Sequence, residues 1–253
     1  MPEGNSPPQP YARLYRRALY DGEIAYADSA VRQLMIQLKH RGLYDAAFII
    51  IVGDHGESLG EHGEKSHGIF LYDATVHVPL IIKLPGQERA GTVVKHQART
   101  IDILPTVLDL LSIRGDNRFD GESLRRLIFT DETDERPVIG ESNYPLHFGW
   151  ASIRSIRKNG FKFIEAPRPE LYNVAADPAE LDNIYEVRPA TARTLREILV
   201  AEPVASVLKR TRRMDQESIE QLRALGYLGP DSSREISGRS TLPDAKDEIR
   251  KQK

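Results

Sequence analysis

The chain has 253 residues, with 35 Lys and Arg against 37 Asp and Glu, a formal net charge of -2 and no cysteine. The near balance of charge gives no global argument for nucleic acid or for an anionic membrane surface, and the missing thiols exclude disulfides and thiolate metal ligands. The N-terminus MPEGNSPPQPYARLYRR has no apolar core of signal-peptide length, and no later run reaches the roughly 18 apolar residues of a membrane span. As written, the sequence predicts a soluble, cytoplasmic product.

Residues 1–10 are rich in Pro and Gly and are expected to be disordered. A helix is predicted from about Leu14 to Lys39, interrupted near Asp21-Gly22, with Ile24, Ala27, Val31, Leu34 and Leu38 at three- and four-residue intervals and His40-Arg41-Gly42 as its stop. The run AAFIIIV, residues 46–52, is apolar without alternation and reads as a buried, parallel strand. A second strand is predicted over residues 76–84, with Pro79 implying an edge, a bulge or a start at Leu80. Thr100 to Ser112 reads as a helix capped by Thr100 or Asp102, with Pro105 in its first turn. This order of elements is that of an α/β fold.

Beyond Gly115 the pattern changes. Residues 137–142 form a short strand candidate, and residues 150–165 place Asn159-Gly160 between two strand-like runs, a strong hairpin signal. ELYNVAADPAELDN, residues 170–183, reads as loop around Asp177-Pro178. Helices are expected at residues 189–200 and 215–225, and residues 230–253 form an apolar-poor tail or linker.

Chemistry concentrates in VGDHGESLGEHGEKSHG, residues 52–68, which holds three of the seven histidines and begins where the first strand ends. Ligand sites in open α/β sheets gather at such strand ends. Asp54 and His55 leave the strand directly, so both are held by a fixed backbone, as a metal site requires. Carboxylate oxygen suits calcium or magnesium, and added histidine moves the preference toward zinc or manganese. A solvated polar loop is the plain alternative, with Gly53 and Gly56 as turn residues. His67 is the candidate for direct chemistry, since histidinium can bind a charged ester oxygen and protonate a leaving oxygen. Lys65 and His62 are weaker candidates for that role, while Glu57 and Glu61 are candidates to orient a histidine or to face solvent.

Elsewhere structural roles are expected: His77 and Lys83 at the second strand, His96 in a loop, Asp102 as a cap, Asp28 as a helix ion pair, and His147 and Trp150 beside the smaller sheet. The basic run Lys209, Arg210, Arg212 and Arg213 lacks interleaved aromatics and reads as a solvated face.

The segments VGDHGESLGEHG, LYDATVHVPLIIKLPG, RTIDILPTVLDLLSI and ELYNVAADPAELDN, taken in order, resemble the sulfatase family of the alkaline phosphatase-like superfamily. The preceding helix, YDGEIAYADSAVRQLMIQL, is similar as well, and LRALGYLG at 222–229 resembles an ending found in some bacterial members. The resemblance implies an α/β fold, a partial alkaline phosphatase-like sheet flanked by helices, followed by a smaller C-terminal antiparallel sheet and helices. Residues 11–135 would be the C-terminal part of the main α/β domain, residues 136–229 the smaller subdomain and residues 230–253 a disordered tail.

The resemblance further implies hydrolysis of sulfate esters and a divalent metal, calcium in most members, on Asp54 and His55. His67 stands near the basic residue that contacts the sulfate and the leaving oxygen, a position where lysine is common. The family nucleophile, a formylglycine made from Cys or Ser in Cys/Ser-x-Pro-x-Arg, has no candidate here, nor has the family's early acidic pair. The sequence is therefore expected to be a fragment whose N-terminal half is missing. That half, separately encoded, is a possible partner, and a missing beginning would allow a periplasmic, secreted or membrane-anchored parent. A phosphate- or phosphonate-ester hydrolase of the same superfamily and a noncatalytic binding module are the alternatives.

Overall fold

A computed structural model describes residues 11–113, 119–130, 135–202 and 242–251. The expectations for residues 1–10, for the 215–225 helix, for the 209–213 basic run and for most of the tail lie outside them. The chain divides into two compact units, Met1–His67 with His77–Thr133, and Gly68–Val76 with Asp134–Lys253. No described helix is long and apolar enough to cross a membrane.

The first unit opens with helix α1 (Ala12–His40). It runs unbroken through Asp21-Gly22, where a single interior glycine costs only about 1 kcal/mol against alanine. The helix stops as expected: the amide of Arg41 donates to Gln37 O at 3.1 Å, and Gly42 takes φ +65°. Asp28 pairs with Arg32 one turn on, at 3.5 Å on the exposed face. No described side chain of α1 is buried; Val31, Met35 and Leu38 are half-buried, while Leu14, Leu19, Ile24 and Leu34 face solvent.

Strand β1 (Ile49–Val52) pairs with β2 (Leu80–Lys83) in an antiparallel ladder, Ile49 opposite Lys83 and Val52 opposite Leu80. This departs from the expected buried, parallel strand, since Ile49 to Ile51 are only half-buried and Val52 is exposed. An unbroken apolar run reports that both faces are suited to cover, and carries no information on direction. Pro79 stands just before β2, where its missing N–H removes nothing from the ladder, and its carbonyl accepts from Gly53 N at 3.2 Å. Lys83 donates to the carbonyls of Tyr44, Asp45 and Ala47 and covers the Tyr44 ring, so it ties down the chain entering β1.

A 3-10 turn, Thr100–Asp102, leads into helix α3 (Ile103–Leu110), and helix α4 (Arg125–Phe129) packs near it. A short helix, α2 (Asp73–Val76), precedes these in the chain and belongs to the second unit. Asp102 is 1% exposed and accepts from Arg99 N, from the Arg99 guanidinium and, at 2.9 Å, from Glu122 N. It closes a capping box on the 3-10 turn and ties in Glu122, but its side chain makes no cap bond to α3, which corrects the helix cap expected of it. The Arg99 to Asp102 backbone passes so close to Gly121 that a Cβ there would lie 2.0 Å from Ile101 O. Gly121→Ala should therefore lower stability by about 1–3 kcal/mol through a forced backbone shift. A urea titration of the variant checks this, and an unchanged midpoint would show that the approach is looser than described.

The second unit is built on a four-stranded antiparallel sheet, β3 (Val138–Ser142), β4 (Ile153–Lys158), β5 (Phe161–Glu165) and β6 (Glu170–Asn173), in that spatial order. The β4–β5 hairpin turns at Asn159 (φ +51°) and Gly160 (φ +73°), the two left-handed positions of a type I′ turn. The loop expected around Asp177-Pro178 is there, but the start of that segment, Glu170–Asn173, is the strand β6. Leu171 and Tyr172 are buried on opposite faces, and four such residues carry neither a clear alternation nor an apolar run.

Side chains alternate across this sheet. Ile156, Phe163 and Leu171 meet Ala192, Leu195 and Leu199 of α5 (Pro189–Ala201) on one face. Ile153, Ile164 and Tyr172 lie on the other with Phe70, Leu71, Tyr72, Trp150 and Ala245, the last from α6 (Ala245–Ile249). Trp150 is thus core, against Phe148, and His147 sits edge-on to Tyr144.

That second face also holds charge. Arg157 and Lys162 stand directly opposite each other in the register, a like-charge pair that would be repulsive alone. Asp73 lies between them and accepts from Arg157 Nη1 at 2.6 Å and Lys162 Nζ at 2.8 Å. Glu180 Oε1 is 2.8 Å from Lys162 Nζ, and its other oxygen accepts from Asp73 N at 2.5 Å. Lys162 and Glu180 are each 2% exposed. Burial pushes the Glu180 carboxyl above its ordinary value of 4.5 against the attraction of Lys162.

Candidate functional site

The loop after β1 is ordered by a serine. Ser58 is buried; its amide donates to Ser66 O at 3.0 Å, and its hydroxyl lies within hydrogen-bonding distance of Glu61 O and Glu64 O. Glu61 Oε2 accepts from Leu59 N at 2.6 Å, so this carboxylate builds the loop. His62 takes φ +53°, and Gly60 and Gly63 take φ +120° and +89°, which turns the chain back on itself. The two ends of the stretch are thereby brought together.

His55 and His67 meet with ring centroids 3.8 Å apart. His67 Nδ1 lies 2.7 Å from Glu57 Oε2. His55 Nδ1 lies 2.9 Å from Gly56 O, and because a carbonyl only accepts, this nitrogen carries the hydrogen and Nε2 keeps the lone pair. His55, Glu57 and His67 each place one ligating atom within 4.8 Å of the others, which makes a His/Glu cluster able to coordinate a metal ion.

Asp54 is displaced from this cluster. Its carboxylate is 90% exposed; Oδ1 accepts from His55 N at 2.9 Å, and Oδ2 is 3.8 Å from His55 Nε2. The His55 amide, and then the His55 ring, hold the Asp54 carboxyl below the usual carboxylate range. It is therefore an ionised oxygen donor facing solvent beside a nitrogen donor.

Of the residues singled out in the sequence, His55 and His67 come together, Asp54 adjoins them through the backbone, and Lys65 and His77 are exposed. His96 is likewise exposed in its loop. Glu57 is the carboxylate that meets His67. The sequence named Glu57 and Glu61 alike as candidates to orient a histidine, and no spacing rule separated them.

Two family models match the chain: one described as Sulfatase over residues 3–113, and one described as N-sulphoglucosamine sulphohydrolase, C-terminal, over residues 60–201. Arylsulfatase K of Gallus gallus is 30% identical over 197 residues, which span 72% of this chain and 36% of that protein. An arylsulfatase of Clostridium perfringens is 29% identical over 195 residues, 74% of this chain and 40% of its own. Among solved structures, the phosphonate monoester hydrolase of Agrobacterium radiobacter superposes with a TM-score of 0.66 at 30% identity, covering 75% of this chain and 41% of that one. The chain thus spans about two fifths or less of the length of these relatives.

Proposed function

Since the chain belongs to the sulfatase family of the alkaline phosphatase-like superfamily, we propose that it is the C-terminal part of a metal-dependent hydrolase of sulfate esters. The observation that carries this reading is the junction of His55, Glu57 and His67 at the exit of β1. The exposed apolar residues Leu14, Leu19 and Ile24 of α1 and Ile81 of β2 support a further part of the family domain covering them.

In this reading Asp54 and His55 hold a divalent metal, and the donor set fits one: an ionised oxygen beside an imidazole whose Nε2 lone pair is free of the Gly56 contact. The resemblance implies calcium. When bound, such an ion draws charge from the ester oxygens and from the attacking oxygen. Glu57 fixes the Nδ1–H of His67, which turns Nε2 outward as the donor toward the leaving oxygen. The S–O bond to the alcohol breaks, its electron pair goes to the alcohol oxygen, and His67 supplies the proton there. No Cys/Ser-x-Pro-x-Arg segment lies within the 253 residues, so the nucleophile is assigned to another part of the parent protein.

Phosphonate-ester hydrolysis is the second reading, favoured by the 30% identity to a phosphonate monoester hydrolase. Translating the DNA upstream of Met1 in all frames, then assaying the restored protein on an aryl sulfate and an aryl phosphonate, separates them. A Cys/Ser-x-Pro-x-Arg segment with an early acidic pair and preferred sulfate turnover is the expected result. Preference for the phosphonate ester would reverse the assignment. Unrelated upstream sequence and no hydrolysis would leave a binding module.

A further inference from the structure

The His55, Glu57 and His67 cluster is a different donor set from the Asp54 and His55 pair. Two imidazoles and a carboxylate suit a zinc-class cation with one position left to water, whereas calcium takes six to eight oxygens. Ligands held at about 2.1 Å in a tetrahedron lie roughly 3.4 Å apart. The three candidate ligand atoms already lie within 4.8 Å of one another.

The supports are already in place. His55 donates Nδ1–H to Gly56 O, leaving Nε2 as the ligand, the arrangement by which protein metal sites orient an imidazole. His55 follows β1 by three residues, with Gly53 N bonded to Pro79 O, and the buried Ser58 fixes the backbone beside Glu57. His55 and His67 are each 44% exposed in their side chains, so an ion can enter from solvent.

We propose that His55, Glu57 and His67 form an inhibitory site for zinc-class cations, in which the ion captures His67. His55 is shared with the catalytic pair, so the two sites exclude each other. A bound zinc takes the His67 nitrogen lone pair, and the imidazole then has no proton to give the leaving oxygen. The inhibitory role rests on the ester-hydrolase reading; the binding of zinc does not.

The test is titration of the 253-residue chain with cobalt(II), a spectroscopic stand-in for zinc, followed by displacement with zinc or calcium. The expected result is one equivalent of cobalt with tetrahedral visible absorption, displaced by stoichiometric zinc and by calcium only at large excess. His67→Gln and Glu57→Gln should each weaken cobalt binding about 10–100-fold. Asp54→Asn should weaken it less than either, because its carboxylate is 3.8 Å from His55 Nε2 but outside the three-residue donor set. All three residues are at least partly exposed, and an unchanged unfolding midpoint would show that each variant folds. Absence of tetrahedral cobalt, wild-type binding by both His67→Gln and Glu57→Gln, or loss of binding only in Asp54→Asn would overturn the site. The restored enzyme is then assayed with zinc: inhibition relieved by chelator completes the proposal, and hydrolysis indifferent to zinc removes its inhibitory half. No hydrolysis at all, with cobalt bound as described, would count against the ester-hydrolase reading and the inhibitory role while leaving the metal site standing.

Discussion

Lys162→Met should be the most damaging single substitution in the second unit, lowering its stability by about 3–5 kcal/mol, the usual cost of breaking a buried ion pair from one side. The methionine fills most of the volume, so the loss is electrostatic. Asp73 and Glu180 would remain near each other without the ammonium that lies 2.8 Å from both. The pH dependence identifies the cause. Glu180 already titrates above its ordinary 4.5 in the folded protein, so the folded state binds more protons than the unfolded state just above that pH. Stability from this group falls as pH rises through that window, and without Lys162 it should fall further. The deficit of Lys162→Met, measured by urea unfolding, should therefore be larger at neutral pH than near pH 4.5. A deficit below about 1 kcal/mol at neutral pH would place the network effectively in water.

His67→Ala, in the parent protein with its nucleophile, should lower kcat about 10²–10⁴-fold, the range for loss of a positioned general acid. Its effect on KM should be small, because the proton is transferred in the transition state. The loss should grow with the basicity of the leaving alcohol, so alkyl sulfates should suffer more than nitrophenyl sulfate. His67→Lys keeps a cationic donor and should recover part of the rate. A uniform loss across leaving groups, or a change in KM alone, would show that His67 binds the sulfate and does not protonate the leaving oxygen. Glu57→Gln should fall between wild type and His67→Ala, because it loosens the ring without removing it.

Where structure follows from contacts near in sequence, the residues announced it. The spacing of Ile24, Val31 and Leu38 carried α1, and Asn159-Gly160 carried the β4–β5 turn because only left-handed backbone closes it. The direction of β1 was not legible, since Ile49 to Val52 would look the same in either ladder. In the loop, strand position pointed to His55. Which carboxylate would meet His67 was settled by the path Ser58 imposes, and nothing in the spacing of Glu57, Glu61 and Glu64 separates them in advance. Nor could pattern show that Phe70 to Tyr72 completes a core whose other walls come from residues 150–174 and from Ala245.

That last arrangement bears on how the protein is made. Tyr72 must wait for Glu170, 98 residues later, before its hydroxyl finds its carboxylate partner. At ribosomal rates of about 5–20 residues per second, that separation amounts to roughly 5–20 s during which an aromatic strip leaves the exit tunnel with no sheet to lie on. Through that interval Phe70, Leu71 and Tyr72 are apolar surface without the strands that later bury them.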